Sequence, residues 1–315
     1  MKLAVILVNY NGKNYNEACI DSVFANEGVE DMKIIVVDNA SQDDSMSLLE
    51  ERYAGDGRIE FIRLGDNYGF SYANNVGIDR ARKQGADDVL LLNNDTEIAP
   101  DMLLKLWECS RRHPGSMIAP KIYYSDDRKC IWSAGGSVSR VIRKVRHTGL
   151  NEMDEGQYDQ EREIGFATGC CLWIPMQVIE KAGTLDERFF LYYEDTEYCF
   201  RLHRLGIPIC YCPDAVMYHK VGASTRGADS PLCAYYITRN WLLCNSLHLG
   251  WRYPLFIAYY VLNRTVCCLL WLTRGKKELV GAALRGIKDY RRGNFGRSTC
   301  YGSKRDVCID KGSVL

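Results

Sequence analysis

An α/β fold, with a mixed and mainly parallel sheet flanked by helices and a helical module at its C-terminal end, is the architecture this 315-residue sequence predicts. Three observations carry it. Over the first 112 residues short apolar runs alternate with longer amphipathic segments, the pattern of parallel strands joined by helices. Each run ends in a polar cluster, where sheets of this class bind ligands. From residue 231 the alternation stops, and apolar, aromatic-rich stretches give way to a strongly basic one.

The run 3–8 is continuously apolar, as a strand buried on both faces is, and a helix is expected over 14–25. A second strand over 33–37 leads to a helix over 43–52, with Ser41 as its cap and Asp44 three residues on. A third strand over 59–64 precedes a helix over 71–84. A fourth over 88–92 precedes a helix over 100–112 that opens with Pro100, which fits the first turn, where backbone donors lack partners anyway. Strands over 118–124 and 131–138 are expected next, joined by a turn at 125–129. The polar, aperiodic 140–163 is expected as a mobile loop over the site. An apolar stretch 164–174, helices over 176–181 and 194–205, and strands over 207–212 and 215–219 complete this part, with a domain division expected between 225 and 226.

Net charge is zero, yet residues 1–219 hold 24 Lys and Arg against 35 Asp and Glu, and 220–315 hold 16 against 5. A basic module on an acidic body points to an anionic surface as partner. Apolar helices dominate the module, so a membrane is the better candidate and no nucleic acid is expected. The stretch 255–272 is interrupted by Asn263-Arg264, which makes it marginal as a span. A helix lying in the membrane interface and an ordinary buried helical pair both remain open. The opening run is too short for an export signal. The 14 scattered cysteines include no C-x-x-C pair and read as reduced, space-filling thiols of a cytoplasmic protein, with no zinc site expected.

Chemistry concentrates at the strand ends. Asn9-Tyr10-Asn11-Gly12 follows the first strand, and Tyr10 could stack on a base. Asp38 follows the second; it could accept a hydrogen bond from a ring N–H or simply cap the next helix. Asn93-Asn94-Asp95 follows the fourth, and its oxygens suit Mg²⁺ or Mn²⁺. His219 ends the last strand, either structural or a metal ligand. Glu194 and Asp195 follow a segment in which five of seven residues are large and apolar. Such a wall excludes water and raises a carboxylate towards the range of a general base, although acids also cap helices.

In this order the motifs resemble the family 2 glycosyltransferases, which have the GT-A (Rossmann-like) fold, over roughly residues 3–225. The most specific are Val37-Asp38-Asn39-Ala40-Ser41, Asn67-x-Gly69-Phe70, Leu92-Asn93-Asn94-Asp95 and 185–206; the last, with Ala215-x-x-x-His219, is similar to the bacterial polysaccharide rhamnosyltransferase branch. The resemblance implies that Asn9, Tyr10, Asp38 and Asn93 line the nucleotide, and that Asp95 and His219 hold Mg²⁺ or Mn²⁺. It implies Asp195, with Glu194 beside it, as catalytic base, and Thr168-Gly169-Cys170 as acceptor site. Asn93 stands where the family's metal motif begins with Asp. The implied activity is inverting transfer of a sugar, L-rhamnose as best guess, from a dTDP- or UDP-sugar to a lipid-linked saccharide. Implied too is a peripheral place on the inner face of the cell membrane. A non-catalytic sugar-nucleotide-binding scaffold, and a nucleotidyltransferase on a related sheet, are the alternatives. The carboxylate pair weighs against the first, and the lack of a glycine-rich phosphate loop after the first strand against the second.

Overall fold

The computed structural model describes residues 2–139, 142–220 and 230–301. The expected domain division, and Arg140 at the head of the expected loop, fall outside them. Four parallel strands form the heart of the sheet: β1 (Leu3–Asn9), β2 (Met32–Asp38), β3 (Ile59–Arg63) and β4 (Asp88–Asn93), in the order β4-β1-β2-β3. Every β1 side chain is buried, as its unbroken apolar run requires of a strand covered on both faces. Helices α1 (Asn16–Phe24), α2 (Ser45–Arg52), α3 (Phe70–Lys83) and α4 (Met102–Arg112) provide that cover. The register sets Asn9 level with Asp38, and Val8 level with Asn93, so three of the expected site residues share one sheet edge.

The short β5 (Thr96–Ile98) follows β4. The second half adds β6 (Met117–Tyr124), β7 (Cys130–Ser133) and β12 (Cys171–Pro175), with β12 antiparallel to β4. The expected strand 131–138 is two: the chain turns at Gly135 (φ +75°), and β8 (Gly136–Val138) pairs with β9 (Val145–His147) in a separate hairpin. The expected loop 140–163 also holds β10 (Glu152–Met153) and β11 (Arg162–Glu163). Lys121, buried beneath it, pairs with Asp154 and Asp159, so the segment is anchored rather than loose. The two expected strands near 207–219 are one, β13 (Ile209–His219), bulged between Cys212 and Val216. Ser41 does not cap α2: its hydroxyl donates to Asp38, and Ser45 bonds Asp43 instead. Helices α5 (Met176–Ala182) and α6 (Glu194–Arg204) lie either side of the aromatic segment.

The C-terminal part folds as α7 (Pro231–His248), α8 (Tyr253–Thr273) and α9 (Lys277–Arg292). Helix α7 is buried nearly all round, and α7 and α9 share one continuous apolar cluster with β1, α3 and α6. Gly286 lets the two helices touch; a Cβ there would stand 2.7 Å from the Tyr235 carbonyl oxygen. Helix α8 differs. Phe256 and Tyr260 face inward, while Leu255, Val261, Leu262, Val266, Leu269 and Leu270 are exposed. The expected buried helical pair is thus half realised, in α7 but not in α8.

Candidate active site

The first corner lies between the ends of β1 and β2. The Asn9 amide donates to Asp38 (2.8 Å) and Ser45 (2.9 Å), and its oxygen accepts from Gly12 N–H and Asn16. Asn9 is therefore wholly occupied in fixing the turn and in aiming Asp38. Asp38 also accepts from the Ser41 hydroxyl (2.5 Å) and N–H (3.1 Å). Beside this network lies a cleft of about 430 Å³ lined by Tyr10, residues 40–42 and 65–67, and Arg297. Arg297 reaches in from beyond α9 and pairs with Asp66 at 2.7 Å.

The second corner lies at the ends of β4 and β13. A tight turn, closed by the Thr96 hydroxyl on the Asn93 carbonyl (2.6 Å), projects Asp95 towards His219. Their nearest atoms, Asp95 Oδ1 and His219 Nε2, are 3.4 Å apart, and both side chains are buried. Among the described residues, neither Asp95 oxygen, neither His219 ring nitrogen, nor Asn93 Oδ1 makes a hydrogen bond of ordinary geometry. Buried polar atoms left so cost about 1–3 kcal/mol each, and a bound cation would satisfy the Asp95 carboxylate together with one of the two His219 ring nitrogens. Burial lowers the His219 imidazolium's pKa, but Cys170 and Asp95 carry it well above its ordinary value, so the pocket favours positive charge. The carboxylate and imidazole are a donor set fit for Mn²⁺ or Mg²⁺.

The third corner is the start of α6. Tyr192 (φ +67°) and Tyr193 (φ +74°) are left-handed in succession, an arrangement costing roughly 1–2 kcal/mol per residue. Surrounding bonds hold it. Asn240 of α7, fully buried, donates to the carbonyls of Leu191 (2.9 Å) and Tyr192 (2.8 Å). Phe70 N–H and the Ser71 hydroxyl bind the carbonyls of Phe190 and Phe189. Gly69 (φ +92°) permits that approach, since its Cβ would stand 2.5 Å from the Phe190 oxygen. The turn buries Glu194 and aims Asp195 outward. Asp195 accepts from Gly169 N–H (2.8 Å) and Thr196 N–H (2.6 Å).

Asp195 opens into a cavity of about 140 Å³ that Thr168 and His147 also line. Burial, and then His219, drive the His147 pKa down to about 4 against the opposing pull of Asp195, so the ring is neutral at pH 7. The Trp132 ring bridges the corners, 4.9 Å from His147 and 4.8 Å from His219. Of the expected acceptor residues, Thr168 lines this cavity, Gly169 holds Asp195, and Cys170 is buried on the His219 side, its carbonyl taking Asn93 N–H. The far wall comes from α7 and α8, through Trp241, Asn263 and Arg264. Those residues, with Asn240 and Arg143, were not foreseen as site residues; the Asn263-Arg264 break in the apolar run was the available signal.

Residues 4–183 match the model of Glycosyl transferase family 2. The chain is 26% identical over 255 residues to the dTDP-rhamnosyl transferase RfbF of Shigella flexneri, covering 78% of this chain and 80% of that one. It is 25% identical over 275 residues to the N-acetylglucosaminyl-diphospho-decaprenol L-rhamnosyltransferase of Mycobacterium tuberculosis, covering 80% and 87%. Among solved structures, the mannosyltransferase PcManGT of Pyrobaculum calidifontis, in complex with GDP-Man and Mn²⁺, superposes with a TM-score of 0.58 at 14% identity, over 91% of this chain and 87% of that one. GalNAc-T7, crystallised with UDP, GalNAc and Mn²⁺, superposes with a TM-score of 0.59 at 14% identity over 70% of this chain, which spans 44% of its length. The shared fold is GT-A.

Proposed function

This chain belongs to glycosyl transferase family 2, and we propose that it moves L-rhamnose from a dTDP- or UDP-linked donor to a hydroxyl of a lipid-linked saccharide, with inversion. One observation carries the proposal. A buried Asp95–His219 pair, whose side-chain oxygens and ring nitrogens make no hydrogen bond of ordinary geometry among the described residues, sits at the carboxyl edge of the sheet, and a carboxylate, Asp195, opens into the neighbouring cavity. The names of the two relatives support rhamnose, and the first of them supports dTDP.

In this mechanism Tyr10 and the cleft beside Asp38 take the nucleoside, and Asp38 accepts from the base N–H. Asp95 and His219 would hold the divalent cation, which when bound would supply charge neutralisation at the departing diphosphate. The imidazole in the donor set leans to Mn²⁺ over the harder Mg²⁺. Asp195 takes the proton of the acceptor hydroxyl, which attacks the anomeric carbon from the face opposite the leaving group through an oxocarbenium-like transition state. General-base help of this kind contributes about 10²–10⁴-fold. Glu194, buried next to the base, adds to the field there, and Thr168 borders the acceptor.

Membrane association is part of the proposal. The segment Gly250–Thr273 is long and apolar enough to cross a bilayer, and 11% of its most apolar window is buried. One flank of α8 is nevertheless committed to the protein through Phe256, Tyr260 and Arg264. That commitment supports a helix lying in the interface of the inner leaflet, not threading it, with basic α9 beside it.

The test is release of nucleoside diphosphate from dTDP-rhamnose, UDP-galactofuranose, UDP-glucose and UDP-N-acetylglucosamine, with Mn²⁺, Mg²⁺ or EDTA, in the presence of membrane lipid extract as acceptor. Metal-dependent release from dTDP-rhamnose is expected, and Asp195→Asn should abolish it while sparing donor binding. Near-normal turnover in that variant would rule out Asp195 as base; a preference for another donor would rule out rhamnose.

A further inference from the structure

The cavity in front of Asp195 is lined by three cations and one anion. Arg143 and Lys144 come from the strand-connecting β8–β9 hairpin, Arg264 from the middle of α8, and Asp195 is the sole lining carboxylate among the described residues. None of the three cations has a carboxylate within ion-pair distance among those residues. Arg143 rests against the Phe200 ring, 4.8 Å from its centroid. Arg264 lies 5.4 Å from the Trp241 centroid and, among the described residues, donates only to neutral oxygens, Thr238 Oγ1 and Asn263 Oδ1, each at 3.2 Å, while its buried Nε has no hydrogen-bond partner among them. Guanidinium groups drawn from water against aromatic rings, with no counter-charge, are costly unless a ligand brings the charge. Planar guanidinium forks suit phosphoryl oxygens.

Position narrows the ligand further. Arg264 is on the inward flank of α8, while Leu262, Val266 and Leu269 on the same helix are exposed. An anion held here therefore lies one helix-width from an apolar surface, and within the same cavity as the candidate base. We propose that Arg143, Lys144 and Arg264 form a subsite for the diphosphate of a prenyl-diphosphate-linked acceptor, so that the C-terminal helices bind the acceptor's head while its tail leaves along α8. The assignment rests on the transferase reading above and adds to it the group by which the acceptor is held.

The experiment uses the full chain in detergent micelles, with the donor site saturated by dTDP or UDP, whichever binds, in excess Mg²⁺. Calorimetry then follows farnesyl diphosphate, farnesol and inorganic pyrophosphate. Farnesyl diphosphate should bind, farnesol at least tenfold more weakly, and pyrophosphate measurably. Arg264→Gln and Arg143→Gln should each weaken farnesyl diphosphate tenfold or more, leaving nucleotide affinity unchanged, and Arg264→Lys should recover part of the loss. If saturating nucleotide eliminates pyrophosphate binding, or if Arg264→Gln weakens nucleotide equally, the cations serve the donor and the proposal fails. It fails too if phosphatidylglycerol displaces farnesyl diphosphate at equal concentration, since the subsite would then be a lipid headgroup site. Asp195→Asn separates the two readings: turnover lost with farnesyl diphosphate still bound supports both. Turnover lost in a protein that never bound it leaves the transferase and removes the subsite.

Discussion

Asn240 is the residue on which the candidate base depends without touching it, and its removal should show this. Two successive left-handed tyrosines store roughly 2–4 kcal/mol in the turn before Asp195. Opposing that strain, the Asn240 amide makes two buried hydrogen bonds to the carbonyls of Leu191 and Tyr192. Removing the donors leaves two buried carbonyls bare at about 1–3 kcal/mol each, so strain and desolvation then act together. The least costly response is for residues 191–194 to relax locally, which swings Asp195 away from Gly169. Asn240→Asp is the sharper test, because it keeps the shape and replaces the two donors with acceptors. Both it and Asn240→Ala should lower kcat by about 100-fold or more, the scale of lost general-base help. The melting temperature should fall by only a few degrees, and nucleotide Kd should not move, since the nucleotide cleft is built from other segments. Transfer rates at saturating donor, with nucleotide titrations alongside, give the answer. A kcat within threefold of wild type for Asn240→Asp would refute the reasoning.

Further outcomes are expected elsewhere. Gly69→Ala sets a Cβ 2.5 Å from the Phe190 oxygen at φ +92°; overpacking and strain should destabilise the fold by roughly 2–4 kcal/mol, and a loss under 0.5 kcal/mol in urea unfolding would contradict the close approach. His147 is held neutral, its pKa down at about 4 from 6.5. The unfolded chain therefore binds the extra proton first, and stability should be full above pH 6.5 and fall by up to about 3 kcal/mol as pH drops to 4. His147→Phe should lose that component, and an unchanged pH slope in the variant would disprove it. Leu262→Glu with Val266→Glu should cut flotation with anionic vesicles several-fold without altering the circular dichroism melt; undiminished flotation would deny α8 a place in the interface.

The parallel half of the fold was legible because β1, β2 and β4 are buried almost throughout, so their apolar runs are nearly unbroken and their polar ends abrupt, while the edge strand β3 is only half-buried. Asn9, Asp38, Asn93 and Asp95 could be placed at one sheet edge for that reason, while their assignment to nucleotide and metal came from the family resemblance. The region from 130 to 163 was not legible: its strands are two to four residues long, and their anchor is a buried lysine meeting aspartates more than thirty residues away, which no local periodicity records. The left-handed pair at 192–193 was hidden as well, since tyrosine carries no preference for positive φ and the cause is an asparagine on a later helix.

The C-terminal helices read as an attachment because their composition differs so sharply from what precedes them, and composition reports the partner of a surface rather than the partner of a core. Helix α7 buries Tyr235, Tyr236, Trp241 and Leu242 in the same cluster as Ile6 and Phe190, while Asn240 from that helix fixes the turn before Asp195 and Arg264 from the next faces its cavity. Removing residues 231–315 would thus take away part of the core, the restraint on the candidate base and one wall of the cavity together. Loss of membrane binding in such a truncation would say nothing about lipid, because the remainder would be unfolded or open. Substitutions on the outward flank of α8 isolate the question: they touch neither Asn240 nor Arg264, and the helix they alter keeps its inward contacts at Phe256 and Tyr260.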